Sequence, residues 1–306
     1  MKDSAIYIIG SGAIGKSIAV FLQQDNKKVV LVRGSVDHKS EKEIMIRVVN
    51  QDNQEFHQNI TTTTFSNLDS IHGIVLITVK THANAAIAKK LMKVKGVFSI
   101  TLLQNGLNIE RPFESFDEVY RSVIFSTSQV INGNTVRFKA VSDSPIGTIK
   151  GNRSKLDSTI KQIHTPYFGF RSEPNISKYV WNKVVINCAF NAICPLLEVD
   201  NGVFHRNSDA TRLAKTIISE CVALAEKYNV GLDQTEIEEK LIQISRRADG
   251  QLISTYEDIR NRRKTEIESL NLEIARLADE IGMPELVANT KLLGEMIQIK
   301  SEIKFR

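Results

Sequence analysis

Residues 5–9 (AIYII) form a short apolar run of the kind that builds a strand buried on both faces. The run leads straight into Gly10-Ser11-Gly12-Ala13-Ile14-Gly15, and then into KSIAVFLQQ, which has helical periodicity. A G-x-G-x-x-G motif between a buried strand and a helix restricts the fold more than any other stretch. It calls for a parallel sheet with helices packed on it. The first glycine allows the tight turn, the second lets backbone approach a pyrophosphate, and the third lets helix and strand pack closely. The helix N-terminus then offers free N–H groups to phosphate. A plain Gly-rich turn is the alternative.

The following segments continue the α/β pattern. Strands are expected at 28–32, 44–50, 55–63, 74–79 and 97–103, with a helix at 84–93. The second strand ends in Arg33-Gly34-Ser35, where a cofactor with a free ribose 2′-hydroxyl would meet Asp or Glu. Arginine cannot accept from that hydroxyl, but it can clamp a 2′-phosphate through two parallel hydrogen bonds. NADPH is therefore expected over NADH. Lys80 stands at the carboxyl end of the 74–79 strand, the edge where open α/β sheets bind ligands. Gln104-Asn105-Gly106 follows the 97–103 strand, and Asn105 could serve a turn or present its amide to a ligand. Segments 119–131 and 135–141 flank Asn132-Gly133, a hairpin signal. A helix at 153–163 and a strand at 167–171 complete this half.

Past Pro174 the pattern turns wholly helical, at 176–194, 208–229, 233–247, 250–260, 265–282 and 284–303. Thr265 with Glu268 fits a capping box, which would put Glu266 in the first turn of a helix. Residues 178–197 are apolar nearly all round, so that helix should be buried. Yet Lys183, Asn187 and Asn191 fall at i, i+4 and i+8, in one line on one face. A buried cation and two amides need polar groups facing them. A substrate wall, a wet helix edge and an internal hydrogen-bond network all satisfy that need. The fold class is thus an α/β N-terminal domain of Rossmann type, residues 1–173, followed by an all-α domain, residues 174–306.

The chain has 306 residues, is 42% hydrophobic and carries a formal charge of +5. An anionic small molecule accounts for so mild a bias, and no nucleic-acid module is visible. The three cysteines (Cys188, Cys194, Cys221) fall on expected helices and read as reduced core residues. The six histidines are scattered, so no metal site is expected. Neither a secretory leader nor an apolar run of membrane-spanning length is expected, which suits a cytoplasmic protein.

Taken together, these motifs resemble the ketopantoate reductase (2-dehydropantoate 2-reductase) family over nearly the full length. The similarity lies in GSGAIG at 10–15, Arg33, VKT at 79–81, QNG at 104–106, KVVINCAFN at 183–191, Asn201-Gly202 and STYEDIRNRRKTEIE at 254–268. It implies an NADPH-dependent reduction of 2-dehydropantoate to (R)-pantoate in pantothenate and coenzyme A synthesis. Lys183 would be the general acid and Glu266 would lie near it and the bound ligands. Gly10, Ser11, Gly12, Ala13, Ile14, Gly15, Arg33, Lys80, Asn105, Gln129 and Glu266 would contact NADPH. Asn105, Asn187, Asn191, Asn201 and Ser254 would hold the keto acid.

The chain departs from the family pattern at Ala83, Ala192, Cys194 and Leu272. None of these removes an expected catalytic group, but several border the expected pocket. Another branched or short 2-oxo acid is therefore an alternative substrate. A catalytically silent NADPH-binding sensor is an alternative of a different class. The sequence leaves open whether the protein is a homodimer.

Overall fold

The computed structural model of the protein describes residues 5–305. These form two compact units, one of Met1–Gln104 with Ile109–Ile176, the other of Asn105–Asn108 with Ser177–Arg306. The first is an α/β unit and the second is helical.

The α/β unit begins with β1 (Ala5–Ile9), α1 (Ala13–Gln24) and β2 (Val29–Arg33). Next come β3 (Lys42–Val49), β4 (Glu55–Thr64), β5 (Ser70–Ile77), α2 (Asn84–Leu91) and β6 (Lys95–Leu102). It ends with β7 (Val119–Ser122), β8 (Ser126–Asn132), β9 (Thr135–Ala140), β10 (Ser144–Lys150), α3 (Arg153–Ile163) and β11 (Phe170–Ser172). All eleven strands join one sheet, in the order β11-β10-β7-β6-β5-β1-β2-β4-β3-β9-β8. The central strands β7, β6, β5, β1, β2 and β4 are mutually parallel, which is why they read as apolar runs.

The expected single segment 119–131 is two strands, eight places apart in the sheet order and joined by only three residues. Neighbouring strands lie about 4.8 Å apart, so a flat sheet would separate them by roughly 38 Å. The link can reach about 14 Å. The sheet therefore curls, and α1 lies in the hollow. Lys16 Nζ donates to the carbonyl of Gly133 at 2.8 Å, and the Ser17 and Ser128 hydroxyls meet at 2.9 Å. Phe21 packs against Phe56 of β4, Phe138 of β9 and Tyr167, with ring centroids 5.0–5.4 Å apart. A second apolar cluster, including Ile87 and Leu91 of α2, covers the other face. Strand β10 was not expected from sequence: Pro145 and Gly147 weaken its pattern, but the Pro145 carbonyl accepts from Val123 N–H and Ser122 Oγ.

The helical unit contains α4 (Ile176–Leu197), α5 (Val203–Arg206), α6 (Ser208–Lys227), α7 (Gln234–Arg247), α8 (Ser254–Arg260), α9 (Asn271–Glu280) and α10 (Ala288–Phe305). Helix α4 is the described helix long and apolar enough to cross a membrane, but 72% of its most apolar window is buried inside the protein. It is the core helix of this unit. The expected helix 265–282 is broken. Thr265 is buried, Glu268 pairs with Lys264 at 3.2 Å, and a short 3-10 turn at Ile267–Ser269 precedes α9. The capping box does not form, and Glu266 lies in the turn before it. Expected helix 250–260 starts only at Ser254, and 284–303 opens with a 3-10 turn at Pro284–Val287.

Candidate active site

In the α/β unit the chain winds outward on both sides of β1, with β2 on one side and β5 on the other. The crevice beyond such a switch point is where open parallel sheets bind ligands. Gly10 and the segment Thr78-Val79-Lys80 emerge there. Gly10 has φ +125°, and a side chain on Gly10 or Gly15 would collide with Thr78 or the loop backbone. Thr78 Oγ1 donates to the carbonyls of Ile9 and Gly10, at 3.1 and 3.0 Å, and so fixes the turn. Sequence reasoning passed over Thr78; its one signal is a hydroxyl at the carboxyl end of a buried strand. Gly12 faces open space, Ser11 is exposed, Ala13 and Ile14 open α1, and no side chain caps that helix.

Arg33 ends β2 with its Nε buried and unpartnered among the described residues. The nearest acid downstream is already committed. Asp37 accepts from Ser66 N–H at 2.8 Å, from Lys90 Nζ at 3.0 Å and from His38 N–H at 3.2 Å. The Ser66 amide, followed by Lys90, holds its carboxyl well below the usual range despite partial burial. An open cradle at a helix N-terminus and an arginine lacking an acceptor fit the pyrophosphate and 2′-phosphate of NADP(H). Lys80 is half-buried beside the turn at Thr81–Ala83. Gln129 is exposed on edge strand β8, opposite Arg137. Its neighbour Ser128 meets α1, so strand alternation turns Gln129 to the other face.

Gln104 Nε2 bonds the Val79 carbonyl at 2.9 Å and Asn84 Oδ1 at 2.5 Å, tying the ends of β5 and β6. The next four residues belong to the helical unit, a departure from the expected boundary. Leu107 N–H donates to the Ser269 carbonyl at 2.9 Å, and Asn108 Nδ2 to Glu273 at 2.6 Å. The loop carrying Asn105 thus lies along the turn that carries Glu266, whose carbonyl accepts from Ser269 Oγ at 3.0 Å. Both Asn105 and Glu266 are half-buried.

On α4, Lys183 and Asn187 are half-buried while Asn191 is 2% exposed. Asn191 Nδ2 donates to the Asn187 carbonyl at 3.0 Å, and its Oδ1 accepts from Ser254 Oγ at 3.4 Å. The structure thereby joins two of the expected substrate residues, from α4 and α8. The Asn187 side-chain amide is half-buried and has no bond to another described residue. Asn201 is buried, and its Oδ1 has no donor among the described residues. Such an orphaned acceptor costs about 1–3 kcal/mol unless something binds it. The three cysteines are buried free thiols. Burial, helped by Asp200, pushes Cys194 up to about 12, and burial beside Cys221 raises Cys188, so neither is a ready nucleophile. Among the described residues, no group of three or more His, Cys, Asp or Glu side chains could hold a metal ion.

Residues 6–151 match the family model described as ketopantoate reductase PanE/ApbA, and residues 175–300 match that of its C-terminal part. The chain belongs to the ketopantoate reductase family. The reaction class is accordingly that of an NADP-dependent oxidoreductase. A 2-dehydropantoate 2-reductase of Streptococcus pyogenes is 22% identical over 97% of this chain and 98% of its own. A dimeric ketopantoate reductase of Staphylococcus aureus superposes with a TM-score of 0.81 at 19% identity, covering 98% of this chain and 99% of that one. A D-mandelate dehydrogenase bound to NADH and anilino(oxo)acetate superposes at 0.85, also at 19% identity with 98% and 99% coverage. One fold therefore carries differently named activities, and fold alone does not choose the substrate.

Proposed function

We propose that this protein reduces 2-dehydropantoate to (R)-pantoate with NADPH. The observation that carries the reading is the row Lys183, Asn187 and Asn191 on a core helix, with Ser254 bonded to its far end. NADPH supplies the hydride. The protein must then neutralise an alkoxide, and Lys183 is the proton donor at that oxygen. Glu266 sets the charge balance around the lysine and contacts the cofactor. Asn105, Asn187, Asn191, Asn201 and Ser254 orient the keto acid. Gly10 to Gly15, Arg33, Lys80 and Asn105 hold NADPH, with Arg33 on the 2′-phosphate. The dimeric relative from S. aureus supports a homodimer as the assembly to test, in the cytoplasm.

A second reading keeps the chemistry and changes the acid. It draws on Ala83, Ala192, Cys194 and Leu272, and on the D-mandelate dehydrogenase that shares the fold. The test is loss of NADPH absorbance with 2-dehydropantoate, pyruvate, 2-oxoisovalerate and phenylglyoxylate in parallel. The first reading expects 2-dehydropantoate to have the highest kcat/KM by at least about tenfold, the size of one well-placed hydrogen bond. Preference for another acid replaces it with the second. Binding of NADPH without oxidation by any acid would leave only the sensor.

A further inference from the structure

Asn201 is held by a network that neither the family motifs nor the proposed roles include. Its N–H donates to the Gln251 carbonyl at 2.9 Å, and the N–H of Gly202 donates to Asp200 Oδ1 at 2.6 Å. Its carbonyl accepts from Ser245 Oγ at 2.7 Å. Ser245, on α7, is fully buried. Ser245 Oγ in turn accepts from the His205 backbone N–H at 3.2 Å and lies 3.2 Å from His205 Nδ1. The serine proton goes to Asn201, so both His205 nitrogens donate, which sets Nδ1 as a protonated ring nitrogen. His205 Nε2 faces Asp249 Oδ2 at 3.7 Å. Arg206 closes the ring, pairing with Asp249 and, at 2.7 Å, with Asp200. A side chain on Gly202 would overlap both Asp249 and Arg206.

The N–H and carbonyl of Asn201 are thus tied to the loop after α7 and to α7, and the Gly202 N–H to Asp200, which itself pairs with Arg206 of α5. The side-chain Oδ1 is buried and has no hydrogen-bond donor among the described residues. A rigid frame around one free acceptor suits an acceptor that must stand in a fixed place for a ligand donor. We propose that Ser245 and His205 are positioning residues for the oxo-acid step, acting through the backbone of Asn201. The proposal rests on the reading of Asn201 as a substrate contact.

Steady-state kinetics on a set of variants tests it, with the panel acid that is turned over fastest. Asn201→Ala should raise KM for the oxo acid about tenfold, the equivalent of one hydrogen bond. Ser245→Ala should raise it by a similar factor and leave KM for NADPH unchanged. The double variant should be no worse than Asn201→Ala alone, because Ser245 has no other route to the substrate. His205→Ala should follow Ser245→Ala. His205→Asn should recover most of the loss, since its amide nitrogen stands where Nδ1 stood. Additive losses in the double variant, or equal losses toward NADPH and the oxo acid, would overturn the positioning role and leave a structural one. A silent Asn201→Ala would instead remove the reading of Asn201 itself, a separate failure visible in that variant alone.

Discussion

A proton donor to an alkoxide must carry a labile proton and stand still, and Lys183 has the first property by chemistry and the second by position. It lies on a helix buried on most sides, one turn before Asn187. Lys183→Ala should lower kcat by about 10²–10⁴-fold, the usual range for general acid–base groups. Lys183→Arg should be nearly as poor, because a guanidinium keeps its proton. A near-wild-type kcat in either variant, read from initial NADPH oxidation rates, would remove the role. Arg33 rests on a different kind of fact, a buried Nε with no hydrogen-bond partner among the described residues. Arg33→Ala should raise KM for NADPH by about 10–100-fold, the worth of hydrogen bonds to a charged group, and that for NADH far less. Equal effects on the two cofactors would reject the 2′-phosphate clamp.

Elements were legible in the sequence where local pattern and burial agree. The strand, glycine turn and helix at 5–24 are such a case, as is α4, whose apolar circumference matches its place in the core. Thr265 and Glu268 mimic a cap, but burial of Thr265 and the Lys264–Glu268 pair divert both side chains. Strand β10 was hidden because a proline and a glycine are tolerated beside β7 for reasons only tertiary neighbours supply. The segment after β2 was legible for what ends the strand, Arg33, but not for how it is braced. Asp37 braces it, joining the 3-10 turn at Phe65–Asn67 to α2 through Ser66 and Lys90. Its carboxyl is depressed in the folded state, chiefly by the Ser66 amide. Its stabilisation is therefore fully present above the unfolded carboxylate value near 4. It is lost as pH falls below that value toward the folded one. Asp37→Asn should be less stable than wild type at pH 7, with the gap closing as pH drops below about 4. Urea midpoints across that range check it; a gap independent of pH would assign Asp37 no ionic role.

At the scale of the whole molecule, sequence order conceals two features. Strand periodicity says nothing about the order of strands, so the curl that wraps the sheet around α1 emerges only when the short link between β7 and β8 is set against their places in the sheet. Nor does a boundary drawn at Pro174 anticipate that Asn105–Asn108 belong with the helices. Binding itself is a property of the folded whole, and it separates the enzyme from the silent sensor. A ligand that binds only the folded protein stabilises it by about 2.7 kcal/mol at a hundred times its Kd. For units of this size that raises Tm by roughly 5–10 °C. NADPH should produce a rise of this order and NADH at equal concentration a smaller one, while Arg33→Ala should narrow the difference between them. Thermal stability depends on binding alone, whereas turnover also needs Lys183. A wild-type Tm rise with oxidation of NADPH by an oxo acid identifies the enzyme. The same rise in wild type and in Lys183→Ala, with oxidation in neither, identifies the sensor. No rise with either cofactor would mean that the glycine turn and Arg33 hold something other than a nicotinamide dinucleotide, and the proposed reaction would fall with them.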